Sequence, residues 1–513
     1  MRVGELIRRA GTAYGSAPAF VDDSGAMSFA EFDRATDRLG NALLASGLRP
    51  GERVGVLLPN STASVVAYYG LVKAGLLRVP LNARETPSEH AHKLTDSGAR
   101  TLIHDGFADG LGGTVEHLVG LDDLERLTRD GGSGPCRVET ALDAPYRLAY
   151  SGGTTGKPKG VVLTTRTELA EVTNFLLDLL PDVRPGDVML HAAPVTHGSG
   201  AFVLPHLVRG ATSVIMSHFD AGAFLETAER TGATATFLVP TMIAMILEEP
   251  NAASTRLAMR RLCYGGAPIA PAVLRRGLDA FGPVFVQTYG QAEAPLCITC
   301  LQPADHDRLG SAGRPYTLVE MDVVDDDGRP VPPGTVGEVV TRGQHVMAGY
   351  WNNPEATAEV LRPDGWLRTG DLGNVDAEGF LYLVDRRNDM IISGGFNVYP
   401  REVEDALKAH PAVVEAVAVG LPDEKWGERV AAAVVTRQPV GVAALEAFCA
   451  EHMAVYKRPR RMEVWPENPV SPVGKVMRRA ARERMLAGDT TTAKAVRSRA
   501  PRGPDPYPGH DPG

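Results

Sequence analysis

The sequence predicts an α/β protein with a large N-terminal domain of doubly wound, mixed sheets and a small α+β C-terminal domain. Up to about residue 290, short apolar runs alternate with helical patterns, which is typical of a largely parallel sheet covered by helices. At 321–343, strands with tight turns indicate a more antiparallel, β-rich subdomain. From about residue 389, a helix–strand–strand–helix pattern indicates a separate small unit.

Helical patterns are clearest near the N-terminus. Val3, Ile7 and Ala10 share one helical face. Residues 28–31, Ser-Phe-Ala-Glu, form a capping-box pattern that predicts the start of a helix ending near Gly47. Apolar runs further along predict buried strands of the main sheets. These runs lie at 52–59, 77–82, 101–105, 188–194, 211–216, 233–240 and 283–290, with a helix expected around 62–75.

Three segments follow from these patterns. We expect residues 1–387 to form the N-terminal domain and residues 388–488 the C-terminal domain. Residues 489–513 are rich in proline and lack apolar periodicity, so we expect them to be a disordered tail.

Composition excludes several classes of function. The 513 residues carry a net charge of −9, and no basic block dominates, which argues against nucleic acid or an anionic membrane as the main partner. There is no signal-peptide pattern and no apolar run of about 18 residues, so we expect no membrane span. Five scattered cysteines indicate a reducing, cytoplasmic setting. Cys297 and Cys300 have C-x-x-C spacing, but a second ligand pair is missing, which disfavours a zinc site.

The segment 150–160, Tyr-Ser-Gly-Gly-Thr-Thr-Gly-Lys-Pro-Lys-Gly, looks like a phosphate-binding P-loop but departs from it. A Walker A loop needs glycine at Ser151 and a hydroxyl residue at Pro158, and it opens a helix. Here the flanks 147–151 and 160–165 both predict strands. We therefore expect a hairpin-type loop whose hydroxyls and glycine N–H groups can approach an oxyanion.

Further motifs follow in a fixed order. They are CYGGAPIAP (263–271), TYGQAEA (288–294), WLRTGDLG (366–373), LVDRRNDMIISGGFNVYPREVE (383–404) and SPVGKVMRR (471–479). Together with the loop at 150–160, this series resembles the adenylate-forming superfamily, which includes acyl-CoA synthetases, carrier-protein adenylation domains and luciferases. The resemblance covers about residues 5–485.

The resemblance implies an ATP site. Tyr289 would stack on adenine, Asp371 would accept the two ribose hydroxyls, and Arg386 would contact ribose or phosphate. The residues that the resemblance implies for ATP or AMP are Ser151, Gly152, Gly153, Thr154, Thr155, Gly156, Lys157, Gly265, Gly266, Ala267, Tyr289, Gly290, Asp371, Arg386 and Lys475.

The resemblance also implies the catalytic groups, which are Lys475, His197 and Thr154. Lys475 would bridge the attacking carboxylate and the nucleotide, where a fixed cation offsets the repulsion between two anions. Glu293, with Thr154, would hold Mg²⁺ against the phosphates. The superfamily usually has threonine before this glutamate, whereas this chain has Ala292, so one phosphate-side hydroxyl is missing.

The C-terminal domain is expected to be mobile. In the superfamily it rotates between two half-reactions, and Asn388 stands at the pivot position of this chain. After rotation, Gly394 and Gly395 would face the site in place of Lys475 and leave room for the pantetheine arm of CoA.

Substrate choice is expected at a pocket that begins with the gate residue His197, although this histidine is equally compatible with a buried structural role. Relatives that activate amino acids have an aspartate beside this gate, and here the neighbours Thr196 and Gly198 are neutral. An α-amino acid is therefore disfavoured, and an aryl or medium acyl group is expected. The pocket residues expected are His197, Gly198, Phe237, Thr241 and Gly265, with Val239 and Met242 as further apolar lining.

Three functions remain open from the sequence. The first is an ATP-dependent ligase that makes an acyl-adenylate and transfers the acyl group to CoA, with ATP, Mg²⁺ and CoA required. The second is a diazotase of a natural-product pathway, which adenylates nitrite and passes the nitrosyl group to an aromatic amine. The third is a nucleotide-binding protein without turnover. The sequence leaves open whether the protein is a monomer or a homodimer.

Overall fold

The computed structural model describes residues 2–106, 110–151, 158–393, 395–470 and 476–497, and the side chains of these residues except at 151 and 488–497. The chain divides into two compact units, Met1–Arg387 and Asn388–Gly513. Within the described residues, no helix is both long enough and apolar enough to cross a membrane.

The first unit has eleven α-helices among the described residues, most of them packed on its sheets. They are α1 (Val3–Tyr14), α2 (Phe29–Ala45), α3 (Thr62–Lys73), α4 (Pro87–Ser97), α5 (Leu121–Asp130), α6 (Thr165–Asn174), α7 (Val203–Val208), α8 (Ala221–Thr231), α9 (Pro240–Glu248), α10 (Pro271–Phe281) and α11 (Pro354–Val360).

The strands of the first unit carry the predicted buried runs. They are β1 (Pro18–Asp22), β2 (Gly25–Ser28), β3 (Arg53–Leu57), β4 (Leu77–Pro80), β5 (Thr101–His104), β6 (His117–Val119), β7 (Pro145–Ser151), β8 (Lys159–Thr164), β9 (Val188–His191), β10 (Thr212–Ile215), β11 (Ala235–Leu238), β12 (Arg261–Gly265), β13 (Phe285–Gln291), β14 (Ala294–Leu301), β15 (Ser311–Pro315), β16 (Glu320–Val324), β17 (Gly337–Arg342), β18 (Gly349–Tyr350), β19 (Leu367–Val375) and β20 (Leu381–Arg386).

Two sheets organise this unit. The seven-stranded sheet has the order β18-β8-β7-β4-β3-β5-β6, with parallel pairing from β7 to β6. The thirteen-stranded sheet has the order β16-β17-β19-β20-β15-β14-β13-β12-β11-β9-β10-β1-β2. Its pairing is parallel from β1 through β13 and antiparallel from β13 onward. The predicted mixed α/β architecture and its antiparallel subdomain are confirmed.

Local signals fixed the helix starts as expected. The capping box of α2 is formed, because the Ser28 side chain accepts from the Glu31 backbone N–H while the Glu31 carboxylate accepts from the Ser28 N–H. Helix α1 buries Val3, Ile7 and Ala10. These contacts form one continuous core between the first helices and the seven-stranded sheet.

The second unit is a five-stranded sheet with helices on both faces. Its elements are β21 (Ile391–Ser393), β22 (Phe396–Val398), α12 (Pro400–Lys408), β23 (Val413–Asp423), β24 (Gly427–Thr436), α13 (Val442–His452), β25 (Arg461–Val464) and α14 (Arg478–Arg497). One face packs against α12 and α13, and the other face packs against α14 through Ala481 and Met485.

The region expected to be a disordered tail overlaps the end of helix α14, which continues to Arg497. After Gly488, no glycine or proline interrupts the chain before Pro501. The expected disorder of the tail stays a prediction. Residues 498–513 lie outside the described part of the chain.

Candidate functional site

The glycine-rich loop is held between two antiparallel strands. Strands β7 and β8 pair from Pro145 to Ser151, with Ser151 opposite Lys159. The strand flanks that ruled out a P-loop are therefore confirmed. The loop itself lies outside the described residues, so the predicted roles of the Ser151 side chain and of Gly152, Gly153, Thr154, Thr155, Gly156 and Lys157 stay predictions.

The predicted adenine side lies where two parallel strands end together. Strands β12 and β13 run in parallel with Gly265 opposite Thr288, so Gly266 and Ala267 leave the sheet beside Tyr289. A Cβ at Gly265 would overlap the Thr288 carbonyl oxygen, and Gly266 has a φ of 80°. Carboxyl ends of parallel strands are the usual ligand edge of an α/β sheet.

The backbone around Gly290 also leaves no room for a side chain. A Cβ at Gly290 would lie 2.5 Å from the Leu296 backbone nitrogen, so no larger residue fits there. Leu296 itself has a φ of 49°, a conformation that is uncommon for a residue with a side chain. Such strained backbone often lies at binding sites, where the surrounding structure holds it in place.

Three predicted nucleotide residues meet in one cluster, here called the nucleotide cluster: Tyr289, Asp371 and Arg386. The Tyr289 hydroxyl donates to Asp371 Oδ2 at 2.6 Å, and Arg386 Nε lies 3.1 Å from Asp371 Oδ1. The pairing of β19 with β20 places Asp371 opposite Arg386. The Thr369 hydroxyl accepts from the Asp371 backbone N–H at 3.1 Å.

The electrostatics of this cluster keep Tyr289 a donor to Asp371. Burial, and then the Asp371 carboxylate, raise the pKa of Tyr289 well above its usual value, so the phenol remains a donor. Among the described residues, the Tyr289 hydroxyl contacts one oxygen of Asp371 and Arg386 contacts the other, and a carboxylate has about four lone pairs, which leaves capacity for further hydroxyl donors. A buried carboxylate fixed in this way is suited to bind a diol.

Glu293 stands at the turn between β13 and β14, next to Ala292. Its Oε1 accepts from the Tyr350 hydroxyl at 2.8 Å, and its carbonyl accepts from the Met347 N–H at 2.8 Å. Burial, and then Glu293, raise the pKa of Tyr350. Lys159 Nζ lies 5.0 Å from the centre of the Tyr350 ring. Tyr350 and Lys159 were not predicted, because nothing in the local sequence relates either residue to Glu293.

Glu293 is suited to be the carboxylate ligand of a Mg²⁺ ion that accompanies a nucleotide. In the described residues, no group of three His, Cys, Asp or Glu side chains could hold a metal ion. A single carboxylate such as Glu293 is, however, what Mg²⁺ takes when phosphate oxygens and water supply its other ligands. Because Tyr350 occupies one lone pair of Oε1, three of the four acceptor positions remain.

The gate segment, residues 193–200, is anchored by two asparagines. Asn60 accepts from the Val195 N–H at 2.8 Å and donates to the Ala193 carbonyl at 3.1 Å. The Asn82 side-chain nitrogen lies 3.3 Å from His197 Nε2. Both asparagines were missed in the sequence, since they lie more than 100 positions upstream of the segment that they hold.

The tautomer of His197 follows from these contacts. The Arg84 N–H donates to Asn82 Oδ1 at 3.0 Å, which orients the amide so that its nitrogen faces His197. The amide nitrogen is a donor, so Nε2 accepts, and the ring proton of a neutral imidazole is on Nδ1.

Aromatic rings fill the space beside the gate. A Cβ at Gly198 would lie 2.8 Å from Phe237 Cε1. The Phe237 ring stacks on Phe202 at 5.1 Å between centroids, and Phe202 contacts Phe175 at 5.0 Å. Gly198 and Phe237 therefore lie next to each other, and little space separates the Gly198 backbone from the Phe237 ring.

Two further residues expected at the pocket lie on the first turn of α9. Thr241 is exposed there. Met242 packs with α8 and α10 in a core cluster separate from that of Phe237. The roles of Thr241 and Met242 in the pocket stay predictions.

The second unit contains the remaining predicted residues. Asn388 is its first residue, and Gly395 has a φ of 81° in the turn between β21 and β22. Gly394 and Lys475 lie outside the described residues, so their roles stay predictions. Arg478, close after Lys475, donates to Glu404 at 2.8 Å and to Asp389 at 3.0 Å. This link fixes the start of α14 to α12 and to the residue after Asn388.

The chain is similar to known protein families and relatives over both units. Residues 7–351 match the AMP-binding enzyme family, and residues 402–475 match the AMP-binding enzyme C-terminal domain. A feruloyl-CoA synthase from Amycolatopsis sp is 39% identical over 474 residues, which are 90% of this chain and 94% of that protein. A medium/long-chain-fatty-acid–CoA ligase from Mycobacterium tuberculosis is 35% identical, over 87% of this chain and 84% of that protein.

Solved structures are also similar to this chain over most of its length. The o-succinylbenzoate CoA synthetase from Bacillus subtilis, in complex with its acyl-adenylate intermediate, superposes with a TM-score of 0.85 at 32% identity, covering 92% of this chain and 96% of that one. An amide bond synthetase from Marinactinospora thermotolerans superposes with a TM-score of 0.86 at 31% identity, covering 94% and 99%.

Proposed function

The chain belongs to the AMP-binding enzyme family and is an adenylate-forming ligase, and we propose that it joins a carboxylic acid to CoA through an acyl-adenylate. The observation that carries this proposal is the nucleotide cluster beside the glycine-lined ends of β12 and β13. There Asp371 is buried, paired and still able to accept two hydroxyls. This geometry supports binding of the ribose of ATP, with Tyr289 beside the adenine.

The first half-reaction makes the acid reactive. A carboxylate oxygen forms a bond to the α-phosphorus of ATP, the bond from that phosphorus to the bridging oxygen breaks, and pyrophosphate leaves. Glu293, with Thr154, would hold the Mg²⁺ that accompanies ATP, and this ion would supply positive charge beside the phosphates. Lys475 is proposed to place its cation between the carboxylate and the α-phosphate, where negative charges are brought together.

The second half-reaction transfers the acyl group. The sulfur of CoA forms a bond to the acyl carbon, the bond from that carbon to the phosphate oxygen breaks, and AMP leaves. We propose that the second unit turns about Asn388 between the two steps and presents Gly394 and Gly395 to the pantetheine arm. The positive φ of Gly395 supports this role, since a turn without side chains allows close approach.

The gate region favours a flat acid. The stacked rings of Phe237 and Phe202 leave a narrow space beside Gly198 and offer a planar apolar wall. An aryl acid is therefore favoured over a medium-chain acyl group, and the similarity to a feruloyl-CoA synthase supports this choice. All five cysteines are buried and free, which supports a reducing compartment such as the cytoplasm.

The same narrowness favours a second candidate, the adenylation of nitrite with an aromatic amine as acceptor. Nitrite has three heavy atoms and needs no acyl tunnel, and Phe237 close to Gly198 leaves little room for one. The likeness to an amide bond synthetase supports an amine as an acceptor within this fold. The nucleotide cluster would have the same role in this reaction.

The deciding experiment is ATP–pyrophosphate exchange with a panel of aryl acids, fatty acids and nitrite, followed by product analysis with CoA or an aryl amine. Exchange with aryl acids and formation of their CoA thioesters is expected. Exchange with nitrite alone, with a diazo product, would replace the first proposal by the second. The absence of exchange with every acid would leave a nucleotide-binding protein without turnover.

A further inference from the structure

A buried polar group, here called the arginine cluster, lies between strands β4 and β7 and helices α3 and α6. Its centre is Arg78, which is only 7% exposed and whose guanidinium lies 4.6 Å from the centre of the Tyr146 ring. The cluster consists of Tyr68, Tyr69, Arg78, Tyr146, Arg147, Glu168, Glu171 and Asn174. None of these residues belongs to the adenylation machinery described above.

Positive charge lies at the centre of the arginine cluster. Arg78 and Arg147 are both cations, and Glu168 lies 3.8 Å from the Arg78 guanidinium. The Arg78 guanidinium is otherwise surrounded by the rings of Tyr68, Tyr69 and Tyr146, and Arg147 lies at the half-buried edge. The two guanidinium groups make this part of the protein favourable for a negative charge.

Four donors of the arginine cluster also require a bound acceptor. Arg78 Nε, Arg147 Nε and the hydroxyls of Tyr68 and Tyr146 are buried and have no hydrogen-bond partner among the described residues. Buried donors are nearly always satisfied in proteins, by protein groups or by something bound. The acceptors Glu171 Oε1 and Asn174 Oδ1 on α6 are also without partners there.

A small cavity adjoins these donors. Tyr68, Arg78 and Arg147 line one side, and Thr196 and Gly200 of the gate segment line the other. Its free volume is about 10 Å³ for the centre of a water-sized molecule, which is room for one small guest. Tyr146, whose ring lies on Arg78, also borders a separate groove of about 610 Å³ beside α1.

We propose that the arginine cluster binds one small monovalent anion, of the size of a halide or nitrite, in the cavity behind the gate segment. A water molecule has two lone pairs and satisfies two of the donors. A halide or nitrite ion accepts from more donors and is attracted by both guanidinium cations, so an anion is favoured over water. This site is separate from the acid that is adenylated, and it does not depend on which acid that is.

The test uses bromide and nitrite as probes of the full chain in halide-free buffer, with sulfate at equal ionic strength as the large-anion control. A saturable rise in melting temperature is expected with bromide and nitrite but not with sulfate. Crystals soaked in bromide should show an anomalous peak within hydrogen-bond distance of Arg78 Nε and the Tyr68 hydroxyl. Equal effects of all three anions, or a water molecule with no bromide in the cavity, would overturn the proposal.

Variants assign the binding to this cavity. Tyr68→Phe removes one donor and no packing, and it should weaken bromide affinity about tenfold. Tyr264→Phe is the matched control, because this buried phenol donates to Gln287 outside the cluster, and its bromide affinity should equal that of the wild type. Unchanged affinity in Tyr68→Phe would contradict the assignment. Binding is read without turnover, so a failure of the proposed ligase function would leave this result unaffected.

If Arg78→Leu does not fold, Arg147→Met tests the charge at the half-buried edge of the cluster. It should abolish the bromide-dependent rise in melting temperature while the protein remains folded. A folded Arg147→Met protein that keeps the full rise would also contradict the proposal.

Discussion

The nucleotide cluster and the arginine cluster are both groups of charged and phenolic side chains, but they differ in how their polar atoms are satisfied. In the nucleotide cluster, the Tyr289 hydroxyl and Arg386 each hold one oxygen of Asp371. In the arginine cluster, two guanidinium nitrogens and two hydroxyls have no partner among the described residues. The first is a preorganised acceptor for a ligand that binds and leaves, and the second has the properties of a site completed by a bound ion.

The largest expected effect concerns Lys475, whose cation is proposed to act between the acid and ATP. Lys475→Ala should reduce acyl-adenylate formation about a thousandfold, because it removes the charge proposed to offset their repulsion. Thiolysis of a supplied acyl-adenylate should remain largely intact. Pyrophosphate exchange measures the first step and thioester formation the second.

A matched control for this variant is Lys408→Ala, whose ammonium lies 3.5 Å from Asp405 on the surface of α12. Both half-reactions should proceed normally in this control. Equal losses of both half-reactions in Lys475→Ala would contradict the division of labour between the two orientations of the second unit.

The next largest effect tests the centre of the nucleotide cluster. Asp371→Asn should lower kcat/KM for ATP about a hundredfold, since an amide has one acceptor oxygen in place of two and no charge. Asp376→Asn, in the same β19–β20 hairpin, is the control, because Asp376 accepts from the Phe380 N–H rather than from Tyr289. Wild-type exchange kinetics in Asp371→Asn would show that ribose binds elsewhere.

A smaller effect separates the ring of Tyr289 from its hydroxyl. Tyr289→Phe keeps a stacking surface but releases Asp371 Oδ2, and it should raise KM for ATP about tenfold with little change in kcat. Tyr382→Phe serves as a control, because its hydroxyl contacts Asp376 at 3.3 Å. A loss in kcat with unchanged KM would contradict a positioning role for the hydroxyl.

The smallest effect belongs to the arginine cluster and concerns pH. The folded-state pKa of Glu171 is raised, so the folded protein holds this proton more tightly than the unfolded chain does. Stability should therefore fall as pH rises from the usual carboxyl pKa toward the raised one. The groups that face Glu171 are Glu168, Arg78, Arg147, Tyr69 and Cys297.

Glu171→Gln removes this contribution. Between about pH 5 and about pH 8, the melting temperature of the variant should fall less than that of the wild type, by a few degrees at most. Glu415→Gln, a surface-strand variant of the second unit, reports any general effect of removing a carboxyl with a raised pKa. Identical pH profiles of Glu171→Gln and the wild type would show that Glu171 is ionised in the folded protein.

Local sequence signals predicted the elements well where the signal is itself local. The capping box at Ser28 lies at the start of α2, and every apolar run named from the pattern overlaps a strand of the structure. The continuation of α14 to Arg497 was not expected, because low apolar periodicity does not by itself prevent a helix where no glycine or proline breaks it. The core cluster in which Met242 packs was not expected either, because periodicity does not show which layer a helix faces after a strand ends.

The order and spacing of the motifs determined, by resemblance, the family, the two half-reactions and the residues proposed for ATP. Only the tertiary structure decided which side chains contact those residues. Tyr289 contacts Asp371, Tyr350 contacts Glu293, and Asn82 contacts His197. The arginine cluster was invisible in the sequence for the same reason. Its members come from four elements between residues 68 and 174, and strand register and helix packing, which no local pattern encodes, bring their side chains together.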